Sequence, residues 1–114
     1  MEDVFEIVEH TEGGAPPVLS VRGEIDVSTA PELRDRLLGL SQSGHQTAVV
    51  DLAQVTFLDS TALGVLVSGL KRFRENGGDL RLVVTGRSVM KVLEITGLVE
   101  VFPIFDTVAA AVSG

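Results

Sequence analysis

The chain has 114 residues, which fits one domain, residues 1–114, able to bury roughly two-thirds of the surface its unfolded form exposes. It contains no cysteine, so disulfide stapling, thiolate metal ligation and thiol redox chemistry are excluded and stability must come from apolar burial. Sixteen acidic against nine basic residues give a net charge of -7. That balance opposes the phosphate attraction that dominates nucleic-acid affinity, and direct DNA or RNA binding is not expected.

The opening Met1-Glu2-Asp3-Val4-Phe5 carries acidic residues where an export signal needs a basic segment followed by a long apolar run. No uncharged apolar stretch approaches the roughly 18 to 20 residues of a membrane-spanning helix. The expectation is a cytoplasmic protein with no membrane role. Val4–Glu9 and Val18–Gly23 read as two β-rich strands, joined as a hairpin through the turn-forming run Gly13-Gly14-Ala15-Pro16-Pro17. Thr29-Ala30-Pro31-Glu32 then has the form of a helix start, with Thr29 as cap, Glu32 completing a capping box and Pro31 in the first turn. Leu33, Leu37 and Leu40 mark the buried face of that helix, which ends near Ser43-Gly44.

Ala48-Val49-Val50-Asp51-Leu52 is short, apolar and β-branched, as expected of a strand covered on both faces. From Ser60, the residues Leu63, Leu66, Val67, Leu70 and Phe73 recur at helical spacing until Asn76-Gly77-Gly78 supplies a left-handed stop. Leu80–Val84 reads as a further strand and Ser88–Ile95 as a short helix stopped by Gly97. Val99–Phe102 is expected to form an edge strand before Pro103, and Asp106 to cap a last helix through Val112. Strands alternating with helices imply right-handed crossovers onto a largely parallel sheet, with the opening hairpin adding an antiparallel pair. The fold class is therefore α/β, a mixed sheet of about four to five strands packed by about four helices.

Little here carries catalysis. His10 and His45 are far apart in sequence, so no metal site is expected. Gly77-Gly78 and Gly86-Arg87-Ser88 lack the spacing and lysine of a phosphate-binding loop, and no cofactor is expected. Ser60 has no nucleophile-elbow pattern and no persuasive histidine beside it, which ranks a small hydrolase last. The informative segment is Phe57-Leu58-Asp59-Ser60-Thr61-Ala62-Leu63-Gly64, which delivers a carboxylate and two hydroxyls to a helix start. Asp59 or Ser60 can simply cap the helix. A helix start also tolerates a phosphate, because its free backbone donors and partial positive charge favour an anion.

Asp51-Leu52, the Phe57–Gly64 segment, Gly77-Gly78, Thr96-Gly97-Leu98 and Gly23-Glu24-Ile25-Asp26 together resemble the anti-sigma factor antagonists of the STAS superfamily, over nearly the whole chain. The resemblance implies a protein that is not an enzyme and that, when unphosphorylated, binds an anti-sigma factor with serine kinase activity and so frees a sigma factor. Phosphorylation by that kinase switches it off, and a PP2C-type phosphatase resets it. The modified residue carries over to Ser60, after the motif Asp59. Thr61 stands where a second serine is usual and is the alternative acceptor; Ala62 stands where glycine is usual. Asp26 is placed near Ser60 on the partner surface by the same resemblance, although an Asx turn before the first helix explains it equally. Gly64 fits close approach of a partner or packing against the sheet. The alternative function is a STAS-type ligand-binding or scaffold module in another regulatory or transport assembly.

Overall fold

A computed structural model describes residues 4–114. Strands β1 (Glu6–His10) and β2 (Val18–Ile25) form the antiparallel hairpin, in register from Glu6 opposite Arg22 to His10 opposite Val18. Helix α1 (Ala30–Gln42) crosses over to β3 (Ala48–Leu58), which lies parallel to β2. Helix α2 (Ser60–Glu75) crosses to β4 (Leu80–Val83), parallel to β3, and α3 (Arg87–Ile95) leads on towards β5 (Ile104–Phe105), parallel to β4. Helix α4 (Val108–Ser113) follows β5. The five strands make one mixed sheet in sequence order, with four α-helices, which is the architecture expected from the alternating pattern.

The period of two along β3 explains why it reads as continuously apolar. Val50 and Leu52 enter the main core beneath the helices, whereas Val49 joins Val18, Val83 and Ala111 in a second apolar patch covered by α4. Leu33, Leu37 and Leu40 are buried as the α1 spacing predicts. Burying such side chains contributes roughly 1.5–3 kcal/mol each. The buried stripe of α2 is rotated from the expected one: Ala62, Leu66, Gly69, Leu70 and Phe73 are covered, while Leu63 and Val67 are half-buried. Small residues cause the rotation. A methyl group at Gly69 would stand 3.2 Å from both Leu37 and Leu80, so the helix backbone itself lies against its neighbours there.

Three local expectations are corrected. Val99–Phe102 is not a strand: Leu98–Glu100 forms a 3₁₀ turn after the left-handed Gly97, and the amides of Val101 and Phe102 both return to the Leu98 carbonyl. With those donors satisfied locally, pairing starts only at Pro103, whose carbonyl accepts from Leu82 N–H at 2.9 Å, and the edge strand is Ile104–Phe105. The last helix is capped by Thr107, not Asp106, through a hydrogen bond from Ala110 N–H at 3.1 Å. Thr29 stands at the N-cap of α1 without a side-chain capping bond, because its hydroxyl is engaged with the preceding loop, and the Thr29–Glu32 capping box does not form.

The turn from α2 into β4 leaves no room beyond a glycine at position 78, since an added methyl group would collide with the Gln46 carbonyl. Gly78→Ala should therefore lower stability by about 1–3 kcal/mol in urea unfolding. Gly13→Ala, with nothing within 4 Å of the added carbon, should stay within about 0.5 kcal/mol of the parent.

Candidate functional site

The site is built where the parallel strands β2 and β3 end together. Ile25 pairs with Leu58, and Asp59 N–H donates to the Ile25 carbonyl at 3.2 Å. The loop from Asp26 to Thr29 and the start of α2 therefore leave the sheet side by side, as the spacing of neighbouring strands requires. This brings together Asp26, Asp59, Ser60 and Thr61, four residues singled out from the sequence. Gly64 follows one turn along α2, on its exposed side.

Asp59 has the extended backbone of a helix N-cap (φ -103°, ψ -175°), and its Oδ1 accepts from Ala62 N–H at 2.9 Å. Its backbone carbonyl takes the first intrahelical bond, from Leu63 N–H at 3.1 Å. The aspartate thus does the capping. Ser60 and Thr61 occupy the first turn with both side chains exposed. Ala62, in contrast, is fully buried, which binds this end of the helix to the core while its neighbours face solvent. A methyl group at Gly64 would meet nothing within 4 Å, so packing against the sheet is not what a glycine serves there.

Asp26 forms the Asx turn. Its Oδ1 accepts from Ser28 N–H at 2.9 Å, from the Ser28 hydroxyl at 2.7 Å and from Thr29 N–H at 3.1 Å. Asp26 N–H in turn donates to the Thr29 hydroxyl, which donates onward to the Glu24 carbonyl, each at 2.9 Å. These bonds, led by the Ser28 hydroxyl and then the Ser28 amide, hold the Asp26 carboxyl below its ordinary value of 3.8. Ser28 was not singled out from the sequence and Thr29 was read there only as the cap of α1; the polar residues on either side of Val27 were the only signal of this turn. Val27 was also missed, and Phe57 entered only as part of the motif; both are apolar and exposed, at 70% and 49%. The surroundings of Ser60 are acidic, with Glu24, Asp26 and Asp59 at the ends of the same two strands. Among the described residues no group of three or more His, Cys, Asp or Glu is arranged to hold a metal ion, and no helix is long and apolar enough to cross a membrane.

A family model, the STAS domain, matches residues 6–111. The chain belongs to the STAS domain family. Its sheet order and helix placement are therefore those of a STAS domain. An anti-sigma-B factor antagonist of Bacillus subtilis is 36% identical over 86 residues, covering 75% of this chain and 78% of that relative. One from Staphylococcus aureus is 38% identical over 80 residues, covering 70% and 74%. The crystal structure of an anti-sigma factor antagonist from Mycobacterium paratuberculosis superposes with a TM-score of 0.88 at 28% identity, covering 99% of this chain and 95% of that one. The STAS domain is thus similar, over most of its length, to proteins that antagonise anti-sigma factors.

Removal of the cap by Asp59→Ala should cost about 1 kcal/mol in chemical unfolding, whereas Gly64→Ala, in an open position of a helix interior, should add up to about 1 kcal/mol. The depressed Asp26 carboxyl contributes stability that is fully present above its ordinary value of 3.8 and is lost as pH falls through its own lower value. Carboxyl NMR titration should place its midpoint below 3.8. In Asp26→Ala the corresponding acid-side loss of stability should be absent.

Proposed function

We propose that this STAS domain is an anti-sigma factor antagonist switched by phosphorylation at Ser60. In the unphosphorylated state it binds an anti-sigma factor that has serine kinase activity and so releases a sigma factor. The kinase then modifies Ser60 and ends the interaction, and a PP2C-type phosphatase restores the hydroxyl. The domain is ligand and substrate in this cycle, not a catalyst, and the cycle is cytoplasmic.

The observation that carries the reading is the division of labour at the start of α2. Asp59 supplies the cap, so the Ser60 hydroxyl is exposed and is not needed to hold the helix. Modification there leaves the fold in place, since the free donors and partial charge of the helix start favour an anion. At an interface the same group acts in the opposite sense. A phosphoserine adds about -1.5 to -2 charge with its bulk, beside carboxylates of Glu24, Asp26 and Asp59 that already make this end of the sheet acidic. A partner surface shaped for a small neutral hydroxyl then meets a bulky dianion, and such a mismatch costs several kcal/mol of binding. The names of the similar proteins support the same role.

Each serine-kinase anti-sigma factor of the source organism, purified and mixed with the domain and ATP, provides the test. Intact-mass analysis should show one added phosphate with the cognate kinase, none on Ser60→Ala, and retained binding of the alanine variant. Full labelling of Ser60→Ala would move the site to Thr61, the adjacent exposed hydroxyl. No labelling and no binding by any of these kinases would overturn the reading in favour of a ligand-binding or scaffold role.

A further inference from the structure

Basic side chains are scarce in this acidic domain, and four of the nine are already engaged. Arg22 pairs with Glu6, Arg36 with Glu9 and Arg74 with Asp79, at 3.2, 3.6 and 3.2 Å. Arg81 donates to the Ala111 and Val112 carbonyls at the end of α4. Arg72 enters no ion pair among the described residues, and Arg34 reaches only its exposed sequence neighbour Asp35, at 3.4 Å. Those two arginines line one small groove between α1 and α2, one from each helix. Leu38 and Val65, both half-buried, and Ser68 line it between them, and no carboxylate does. The cleft at the start of α3, where Arg87 and Lys91 lie, differs in having Glu94 and Asp106 in its own walls.

The groove measures about 120 Å³, the room of roughly four water molecules. That suits one apolar side chain of a docked helix and is too small for a cofactor. It is continuous with the proposed switch: Ser60, Gly64, Ser68 and Arg72 succeed one another at intervals of four along the same helix. Twelve residues of rise place Arg72 about 18 Å from Ser60. The small side chains between them leave that path flat, and Gly64 has open space above it.

Resting on the function proposed above, we infer that the α1–α2 groove is a second docking point for the same anti-sigma kinase. It receives an amphipathic helix of the kinase that inserts one apolar side chain over Leu38 and Val65 and sets carboxylates against Arg34 and Arg72. The surface of the domain is then polar along α2, acidic at the Ser60 end and basic at the groove, so that only a partner with the opposite order fits in register. The groove holds the kinase at a point that phosphate on Ser60 does not touch. Phosphorylation removes the Ser60 contact, and the groove alone is too weak to keep the kinase bound, so the interaction ends.

The test uses the full chain and the kinase that labels Ser60. Arg34→Glu/Arg72→Glu should weaken binding at least tenfold at low salt and flatten its salt dependence, with folding checked by thermal unfolding. Arg87→Glu/Lys91→Glu, which makes the same change in net charge elsewhere, should change binding less than threefold. Ser68→Trp, which fills the groove without changing charge, should weaken binding to a similar extent as the double reversal. In all variants saturating kinase should still phosphorylate Ser60. Unchanged binding by the Arg34/Arg72 and Ser68 variants, with Ser60 still labelled, would overturn the groove and leave the switch standing. Equal losses from both charge reversals would overturn it as a non-specific charge effect. Failure of the parent chain to bind or be labelled would remove the functional reading and the groove with it.

Discussion

The parallel pairing of β2 with β3, carried to the last residue of each strand, is the constraint on which the site depends. Once Ile25 lies opposite Leu58, the two chain segments that follow must leave the sheet next to one another. The hydrogen bond from Asp59 N–H to the Ile25 carbonyl closes that junction. Everything functional at this end is then a matter of what each segment does in its first few residues. One turns through Asp26 into α1, and the other enters α2 directly.

The two aspartates solve similar local problems and so free the residues beside them. Asp26 satisfies the amides of its own turn, and Asp59 satisfies the third amide of α2. Neither carboxylate is left to be neutralised by a basic neighbour, and the surface stays acidic. A serine placed between a capping residue and a buried alanine is held in position by the helix without being used by it. Such an arrangement allows a group to change its charge at almost no cost to folding, which is the physical requirement of a reversible covalent mark.

Much of this was legible in the sequence because it rests on period and punctuation. The hairpin, the apolar β3, the heptad-like spacing in α2 and the glycine stops at Gly77 and Gly97 each follow from local rules, and together they imply the mixed sheet. What was not legible depended on which of several available partners each polar group takes and on how the helices pack. The Thr29 hydroxyl looked like a cap but is claimed by the Glu24 carbonyl. Val99–Phe102 has strand composition, yet its amides are satisfied within their own turn, and the two-residue strand that replaces it is too short to show a period. The rotation of α2 depends on how closely Gly69 approaches Leu37 and Leu80, and the groove between Arg34 and Arg72 exists only once the two helices are packed. The candidate site itself was visible as a motif, whereas the reason Ser60 is spared from structural duty emerged only from the geometry of Asp59.

The sheet also divides the surface of the molecule. Helices α1, α2 and α3 pack on one face, and α4 lies on the other over Val18, Val49 and Val83, with Arg81 holding its last carbonyls. The residues around Ser60 and the groove of α1 and α2 belong to the first face. A fluorophore, affinity handle or sensor surface attached through the final residues would therefore sit behind the sheet. A reporter mounted there leaves the Ser60 face turned outward, so the domain can be immobilised without covering it.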